Sequence, residues 1–151
     1  METSILQKQQ SNKLIFYGIL LFLLGLIVGL FIPLMANPRM GLSSHIEGVL
    51  NGMFLVTLGL IWHKIALSIR WLKITFWLAV YGTFANWLGM LYAALVNAGK
   101  DLTIAAEGKG GTPLQEGIIS FLLITLSLAM IIICITVLIG LNRYFKQEWG
   151  K

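Results

Sequence analysis

Four long apolar runs constrain the fold of this 151-residue chain more than any other feature of its sequence. They cover residues 14–36, 42–66, 74–96 and 117–141. Each reaches the roughly 20 residues that a helix rising about 1.5 Å per residue needs to cross about 30 Å of hydrocarbon. Only 11% of the residues are charged, against about 25% in an ordinary soluble domain. We therefore predict an all-α fold, in which residues 1–151 form a single integral membrane bundle of four transmembrane helices.

Lysine and arginine residues are divided unevenly between the two ends of these runs. Eight lie at the ends that include both chain termini, and three lie at the opposite ends. The eight are Lys8, Lys13, Lys64, Arg70, Lys73, Arg143, Lys146 and Lys151. Because cytoplasmic loops carry the excess of positive charge, we expect both termini in the cytoplasm. The basic residues form no patch interleaved with aromatic residues, so the net charge of +5 does not indicate nucleic-acid binding.

Small residues recur along three of the runs at spacings that place them on one helix face. They are Gly18, Gly25 and Gly29 in the first run, Gly48, Gly52 and Gly59 in the second, and Gly82, Ala85 and Gly89 in the third. In lipid, such residues let helices approach closely. We interpret the stripe of the first run as helix contact alone. Polar residues lie on or beside the other two stripes, which indicates a further role for those faces.

A histidine lies near the start of the second run. His45 follows Ser43 and Ser44, either of which is expected to cap the helix. At about 100° per residue, Gly48 and Gly52 fall within about 60° of His45 on the helical wheel. The imidazole therefore lies on a helix face with almost no other side chains. A large flat ligand needs such a face to lie close to the backbone.

Two asparagines and two tyrosines complete the candidate site. Asn51 points about 120° away from His45, toward the flank of the glycine face. Asn86 lies on the small stripe of the third run, and Tyr81 and Tyr92 lie near the same side. The sequence thus predicts a pocket between the second and third runs, lined by an imidazole, two carboxamides and phenols.

The spacing of the two histidines limits the metal chemistry of the chain. His45 and His63 are 18 positions apart on one predicted helix, or about 27 Å, so they cannot bind one metal within a subunit. Zinc needs three or four ligands, and Glu47 points to another face than His45. Two interpretations of His45 remain: a single axial ligand to a haem with the sixth position open, or a histidine at the helix start that hydrogen-bonds the backbone or a headgroup.

The stretch HIEGVLNGM resembles the styrene oxide isomerase family, small integral membrane enzymes of bacterial styrene degradation. That family has a histidine followed six residues later by Asn-Gly-Met, here His45 and Asn51, Gly52, Met53. It also has an asparagine after an aromatic–small pair, here Asn86 in FANWL. The length and the four runs match loosely over most of the chain.

The resemblance implies a haem b enzyme in a bacterial inner membrane. His45 would be the axial ligand, and Gly48 and Gly52 would lie against the haem, in a homotrimer whose haems sit near subunit contacts. Ferric iron would act as a Lewis acid on a small hydrophobic aryl epoxide, and a hydride shift would give an aldehyde without net redox change. Asn51 and Asn86 would orient the substrate or its developing alkoxide.

Two positions depart from the family pattern. The chain has Gly82 where the family has an aspartate, and Met90 where it has an active-site tyrosine. We therefore expect a retained haem site and a changed substrate pocket, with Tyr92 or Tyr81 as the substitute phenol. The alternatives are a membrane haem protein without catalysis, such as a sensor, carrier or electron-transfer subunit, and a four-span packing protein without a cofactor.

Overall fold

The four apolar runs form four long helices in a computed structural model that describes residues 2–106 and 108–149. These helices are α1 (Glu2–Phe31), α2 (Pro38–Ile61), α3 (Ile69–Val96) and α5 (Pro113–Trp149), and a short helix α4 (Thr103–Ala106) precedes α5. Single 3₁₀ turns follow α1 (Ile32–Leu34) and α2 (Trp62–Lys64). Each long helix is apolar and long enough to cross a membrane, and no β-strand occurs in the described residues. The predicted all-α, four-span fold is confirmed.

The helices extend beyond the predicted spans, because polar turns continue them outside the apolar core. α1 begins at Glu2 instead of residue 14, and α5 runs on to Trp149. The cytoplasmic position of the termini stays a prediction, although an even number of crossings would bring both ends to one side. Lys151, one of the eight charges behind that prediction, lies outside the described residues.

The start of α2 lies earlier in the chain than the sequence analysis predicts. The helix begins at Pro38, and the Asn37 side chain caps it by accepting a hydrogen bond from the Met40 backbone N–H at 3.2 Å. Proline is favoured at the first helical position, because its missing N–H would have no partner there. Ser44 instead donates to the backbone carbonyl of Trp87 on α3, at 3.3 Å. The predicted serine cap is wrong, and His45 lies two turns inside the helix.

Glycines set the contact between α1 and α2. A Cβ added at Gly25 would lie 2.9 Å from the Cα of Gly48, and one added at Gly18 would lie 2.7 Å from the carbonyl oxygen of Gly52. Ordinary Cβ contacts are about 3.4–4 Å. The backbones therefore touch, as expected where small residues drive helix contact in lipid. The predicted packing role of the α1 stripe is confirmed.

The helices pack in the order α1, α2, α3, α5. α2 lies between α1 and α3, and α3 also packs against α5. Gly82 of α3 faces Met130 of α5, and the Tyr81 hydroxyl lies 2.6 Å from the Thr125 hydroxyl of α5. α2 and α3 are consequently more buried than α1 and α5.

Side-chain amides of α1 join the helices at the end that carries the chain termini. Gln10 is buried; it accepts from the Trp62 indole N–H at 3.1 Å and donates to the Leu72 carbonyl at 3.4 Å. Gln7 donates to the Ile65 carbonyl at 3.0 Å. These bonds tie α1 to the connection between α2 and α3.

The connector before α5, predicted as a loop over residues 97–115, is held by one carboxylate. Glu116 accepts backbone N–H bonds from Gly99 (3.1 Å), Lys100 (2.8 Å) and Gly111 (2.6 Å). Asn97 ends α3 in the left-handed conformation that asparagine tolerates. The connector thus forms a packed cap on α2, α3 and α5 at the end of the bundle opposite the chain termini.

Candidate functional site

A carboxylate and two carboxamides meet at the seam between α2 and α3. The Glu47 Oε2 atom accepts from Asn51 Nδ2, one turn along α2, at 3.1 Å, and from Asn86 Nδ2 on α3 at 2.5 Å. Asn51 is only 7% exposed, while Glu47 and Asn86 are half-buried. The structure therefore brings the two predicted asparagines together through a glutamate that the sequence analysis did not select.

The Glu47 cluster, which we define as Glu47, Asn51 and Asn86, lies deep within the bundle. Glu47 is nine residues after the first residue of α2, about 14 Å along the helix, and Asn86 is ten residues before the end of α3, about 15 Å. Both positions therefore lie well inside helices that are long enough to cross about 30 Å of hydrocarbon. Charged side chains at that depth are costly and mark functional sites by default.

The cluster presents hydrogen-bond acceptors. Both amides bond the same carboxylate oxygen, and Oε1 of Glu47 has no partner among the described residues. With their N–H₂ groups turned to the carboxylate, Asn51 and Asn86 point their carbonyl oxygens away, and the described part of the chain gives these oxygens no donor either. A carboxylate can only accept hydrogen bonds, so this orientation of the amides follows from chemistry.

His45 contacts α1. Its Nδ1 lies 2.8 Å from the Gly25 carbonyl oxygen, and a Cβ at Gly29 would lie 2.7 Å from the same nitrogen. Because a carbonyl accepts, Nδ1 carries a proton, which leaves Nε2 as the ring nitrogen that can act as a ligand. No described residue hydrogen-bonds Nε2. Histidines that bind metals are typically fixed in this way, through the nitrogen opposite the ligating one.

His45 and Glu47 lie on opposite sides of α2. Two residues along a helix correspond to a rotation of about 200°, and the contacts agree, since His45 bonds α1 and Glu47 bonds α3. One substrate cannot touch both groups within a single chain without passing around α2. The predicted pocket that combines the imidazole with both carboxamides does not form within one chain.

The glycine face beside His45 is covered by a helix. A Cβ added at Gly48 would lie 2.6 Å from the Cα of Gly25, and one at Gly52 would lie 2.7 Å from the backbone nitrogen of Phe22. A flat ligand on these glycines would have to displace α1. The expectation of an open face is thus wrong for the single chain. Cofactor contact by Gly48 and Gly52 stays a prediction that requires α1 to move.

The tyrosines lie apart from the cluster. Tyr81 bonds Thr125 of α5, and Tyr92 packs with the apolar group around Met40 and Ala94, under the connector. Neither phenol has a hydrogen bond to Glu47, Asn51 or Asn86. The catalytic role of Tyr92 stays a prediction.

Trp87 is a second residue that the sequence analysis missed. It is 8% exposed, its ring packs against Gly48, and its indole N–H has no acceptor among the described residues. The signal that could have identified Glu47 is simpler: of the six acidic residues in the chain, it alone lies within one of the four apolar runs.

The described residues contain no group of three or more His, Cys, Asp or Glu side chains that could hold a metal ion. A zinc or dinuclear centre built from such ligands therefore has no basis in this part of the chain. His45 offers one ring nitrogen, which fits a cofactor that supplies the remaining ligands itself, as a haem does.

Comparisons with known proteins agree on one family. The family model for styrene oxide isomerase matches residues 10–142. Hydroxylaminobenzene mutase HabB of Ectopseudomonas oleovorans is 54% identical over 133 residues, which cover 87% of this chain and 81% of that protein. Hydroxylaminobenzene mutase HabA of the same organism is 48% identical over 127 residues, which cover 83% and 94%. No solved structure matches the chain.

Proposed function

The chain belongs to the styrene oxide isomerase family, and from this premise we propose that it is a membrane mutase for N-arylhydroxylamines such as hydroxylaminobenzene. Its class, a membrane isomerase of the mutase type, follows from the family and from both relatives. The substrate class rests on the relatives' names together with 54% identity across most of both chains. The original expectation of an aryl epoxide becomes the second candidate.

The proposed reaction is an isomerisation that needs no added oxidant or reductant. The N–O bond of the hydroxylamine breaks, a C–O bond forms at a ring carbon, and one proton moves from that carbon to nitrogen. Hydroxylaminobenzene thereby becomes an aminophenol of the same atomic composition. Positive charge develops on the nitrogen and the ring while the N–O bond breaks, so groups that stabilise positive charge accelerate the step.

The Glu47 cluster is the observation that carries this function. It places a carboxylate and two amide oxygens about halfway along two apolar helices. A small apolar arene partitions into the bilayer, and this is where it would meet polar groups. Asn51 and Asn86 hold the carboxylate in place and turn their carbonyl oxygens outward, so that the substrate's N–H and O–H can be oriented.

His45 is the residue that would hold haem b. The proton on Nδ1 and its bond to the Gly25 carbonyl leave Nε2 as the ligand atom. Bound ferric haem would supply a Lewis acid for the departing oxygen. Substitution His45→Ala should remove the Soret absorption of the purified protein, whereas unchanged haem content would exclude His45 as the ligand.

A second copy of the chain would complete the site. His45 and Glu47 face opposite sides of α2, so a cofactor on one copy can meet the cluster of another when the copies associate. We therefore keep the homotrimer that the family resemblance implies. Sedimentation of the detergent-solubilised protein measures its oligomeric state, and a monodisperse active monomer would refute this proposal.

The test of the main function uses membranes that contain the chain and water labelled with heavy oxygen. Incubation with hydroxylaminobenzene should give an aminophenol without NAD or reductant. The product hydroxyl should be unlabelled, because a mutase keeps the substrate's oxygen. Full incorporation of label would indicate release and re-addition of water, and no product beyond that of control membranes would refute the function.

The second candidate is isomerisation of an aryl epoxide to an aldehyde, which the family's description favours. The same membranes are incubated with styrene oxide, and aldehyde is measured. We expect slower turnover than with hydroxylaminobenzene, because the cluster offers acceptors and an epoxide oxygen needs a donor. If the protein contains haem but catalyses neither reaction, the non-catalytic haem protein becomes the favoured alternative.

A further inference from the structure

We infer that Glu47 determines substrate specificity, by selecting aromatic compounds that carry a hydrogen-bond-donating or cationic nitrogen over those that carry only acceptor oxygens. This inference rests on the proposed function, because it concerns the same site. It assigns to Glu47 a role in recognition that the motif HIEGVLNGM does not suggest.

The first support is the absence of a cation beside the carboxylate. Buried charges in membranes normally pair with one another or with backbone groups. Within residues 2–106 and 108–149, however, Glu47 has only the two amide donors, and no lysine, arginine or histidine forms an ion pair with it. The site thus keeps a carboxyl group with no cation beside it, to which a cationic or N–H-bearing ligand would donate a hydrogen bond.

The second support comes from which oxygen atoms of the cluster accept hydrogen bonds. Both amide N–H groups converge on Oε2, which leaves Oε1 and the two amide carbonyl oxygens without donors in the described chain. Three acceptors can receive the N–H and O–H of a hydroxylamine. An epoxide or an ether has acceptors only, so it would leave these groups unpaired, and a site built for hydrogen bonding rejects such analogues strongly.

The third support is the reaction itself. As the N–O bond breaks, the electron pair leaves with oxygen and the positive charge spreads over nitrogen and ring. A carboxylate in a region of low dielectric constant stabilises this charge more than it could in water. Glu47 would therefore favour the transition state as well as the ground state, and its loss should lower kcat as well as raise KM.

The experiment compares the full-length wild type with Glu47→Gln, which keeps size and removes charge, and with Glu47→Asp, which keeps charge. Glu148→Gln is the matched control, because Glu148 is exposed near the end of α5. Two probes of similar size report recognition without turnover: benzylammonium, a cationic donor, and benzyl methyl ether, a neutral acceptor. Their dissociation constants are measured by tryptophan fluorescence and by inhibition.

We expect the wild type and Glu148→Gln to bind benzylammonium about tenfold or more tightly than the ether. Glu47→Gln should lose this preference, and its kcat/KM for hydroxylaminobenzene should fall about 100-fold. Glu47→Asp should keep the preference with a slower rate. Elution as a single folded species by gel filtration qualifies each variant for comparison.

Two results would overturn the inference: a wild type that does not prefer the cation, or a Glu47→Gln variant that prefers it as strongly as the wild type. The first result would overturn the inference even if Glu47→Gln did not fold. If wild-type protein prefers the cation but forms no aminophenol, the mutase function fails while the recognition role of Glu47 stands. Turnover of hydroxylaminobenzene with no effect of Glu47→Gln would refute the inference and leave the function intact.

Discussion

The substitution Gly48→Ala tests the packing at the centre of the bundle and separates two interpretations of this glycine. The added Cβ would lie 2.6 Å from the Cα of Gly25 on α1 and 3.0 Å from Cδ1 of Trp87 on α3. The methyl group would therefore meet α1 and α3 at once. One of these neighbours is backbone, which cannot rotate away.

The magnitude follows from the distances. To reach an ordinary 3.4 Å contact from 2.6 Å, α1 must move away by about 0.8 Å. Inserting a methyl group into a packed core costs about 1–3 kcal/mol, and a backbone clash belongs at the upper end of that range. Alanine recovers about 1 kcal/mol of helix propensity. We expect a net loss of about 1–2 kcal/mol in the free energy of unfolding.

The assay is unfolding of the protein in mixed micelles with increasing dodecyl sulfate, followed by tryptophan fluorescence. Gly117→Ala is the control, because Gly117 lies in α5 and its added Cβ would meet nothing within 4 Å. The control should be as stable as the wild type or more stable, by up to about 1 kcal/mol. Both variants are measured with and without added haem.

Equal stability of Gly48→Ala and Gly117→Ala would refute the packing of α1 on α2. A Gly48→Ala variant that is stable without haem but loses haem binding would support the cofactor role predicted for this glycine. Instability in both conditions, of the size given above, would assign Gly48 to helix contact.

Three further predictions concern the site, the helix ends and the connector. Asn86→Ala should keep the fold and slow turnover about 100-fold, because Glu47 loses one of the two groups that hold it; full activity in a kinetic assay would remove Asn86 from the mechanism. Gln10→Leu should lower the free energy of unfolding by about 1–3 kcal/mol, since the buried Trp62 N–H loses its acceptor, and an unchanged unfolding curve would contradict this. Glu116→Gln should speed trypsin cleavage at Lys100 about tenfold, because it weakens the three hydrogen bonds from backbone N–H groups to this side chain. Equal digestion rates would contradict the role of Glu116 in holding the connector.

Features that depend on local sequence could be predicted well. Run length identified all four helices, because crossing hydrocarbon sets a minimum length whatever the neighbours are. The glycine spacing of α1 predicted a helix contact, because small residues on one helix face let two backbones approach closely. The start of α2 was missed although its signal, Asn37 followed by Pro38, is also local; the serines nearer the apolar run were favoured instead.

Features that depend on the order of packing could not be predicted. The helical wheel correctly separates His45 from Glu47, but it does not show which helix lies on each side. The glycine face beside His45 is covered by α1, and Glu47 meets Asn86 only because α3 lies on the other side of α2. Tyr92 shares a helix with Asn86, yet the connector and Met40 surround it.

The hydrogen bonds between α2 and α3 also bear on how the chain enters a membrane. α1 and α5 are strongly apolar, whereas α2 and α3 are much less so and hold the polar cluster. A segment that carries unsatisfied polar groups partitions less readily from the translocon into the bilayer. Residues 65–68 are a short link between the two helices, so α2 and α3 can leave the translocon together as a hairpin in which Asn86 already donates to Glu47. The groups that we assign to catalysis would thus also make the biogenesis of the two inner helices a single event.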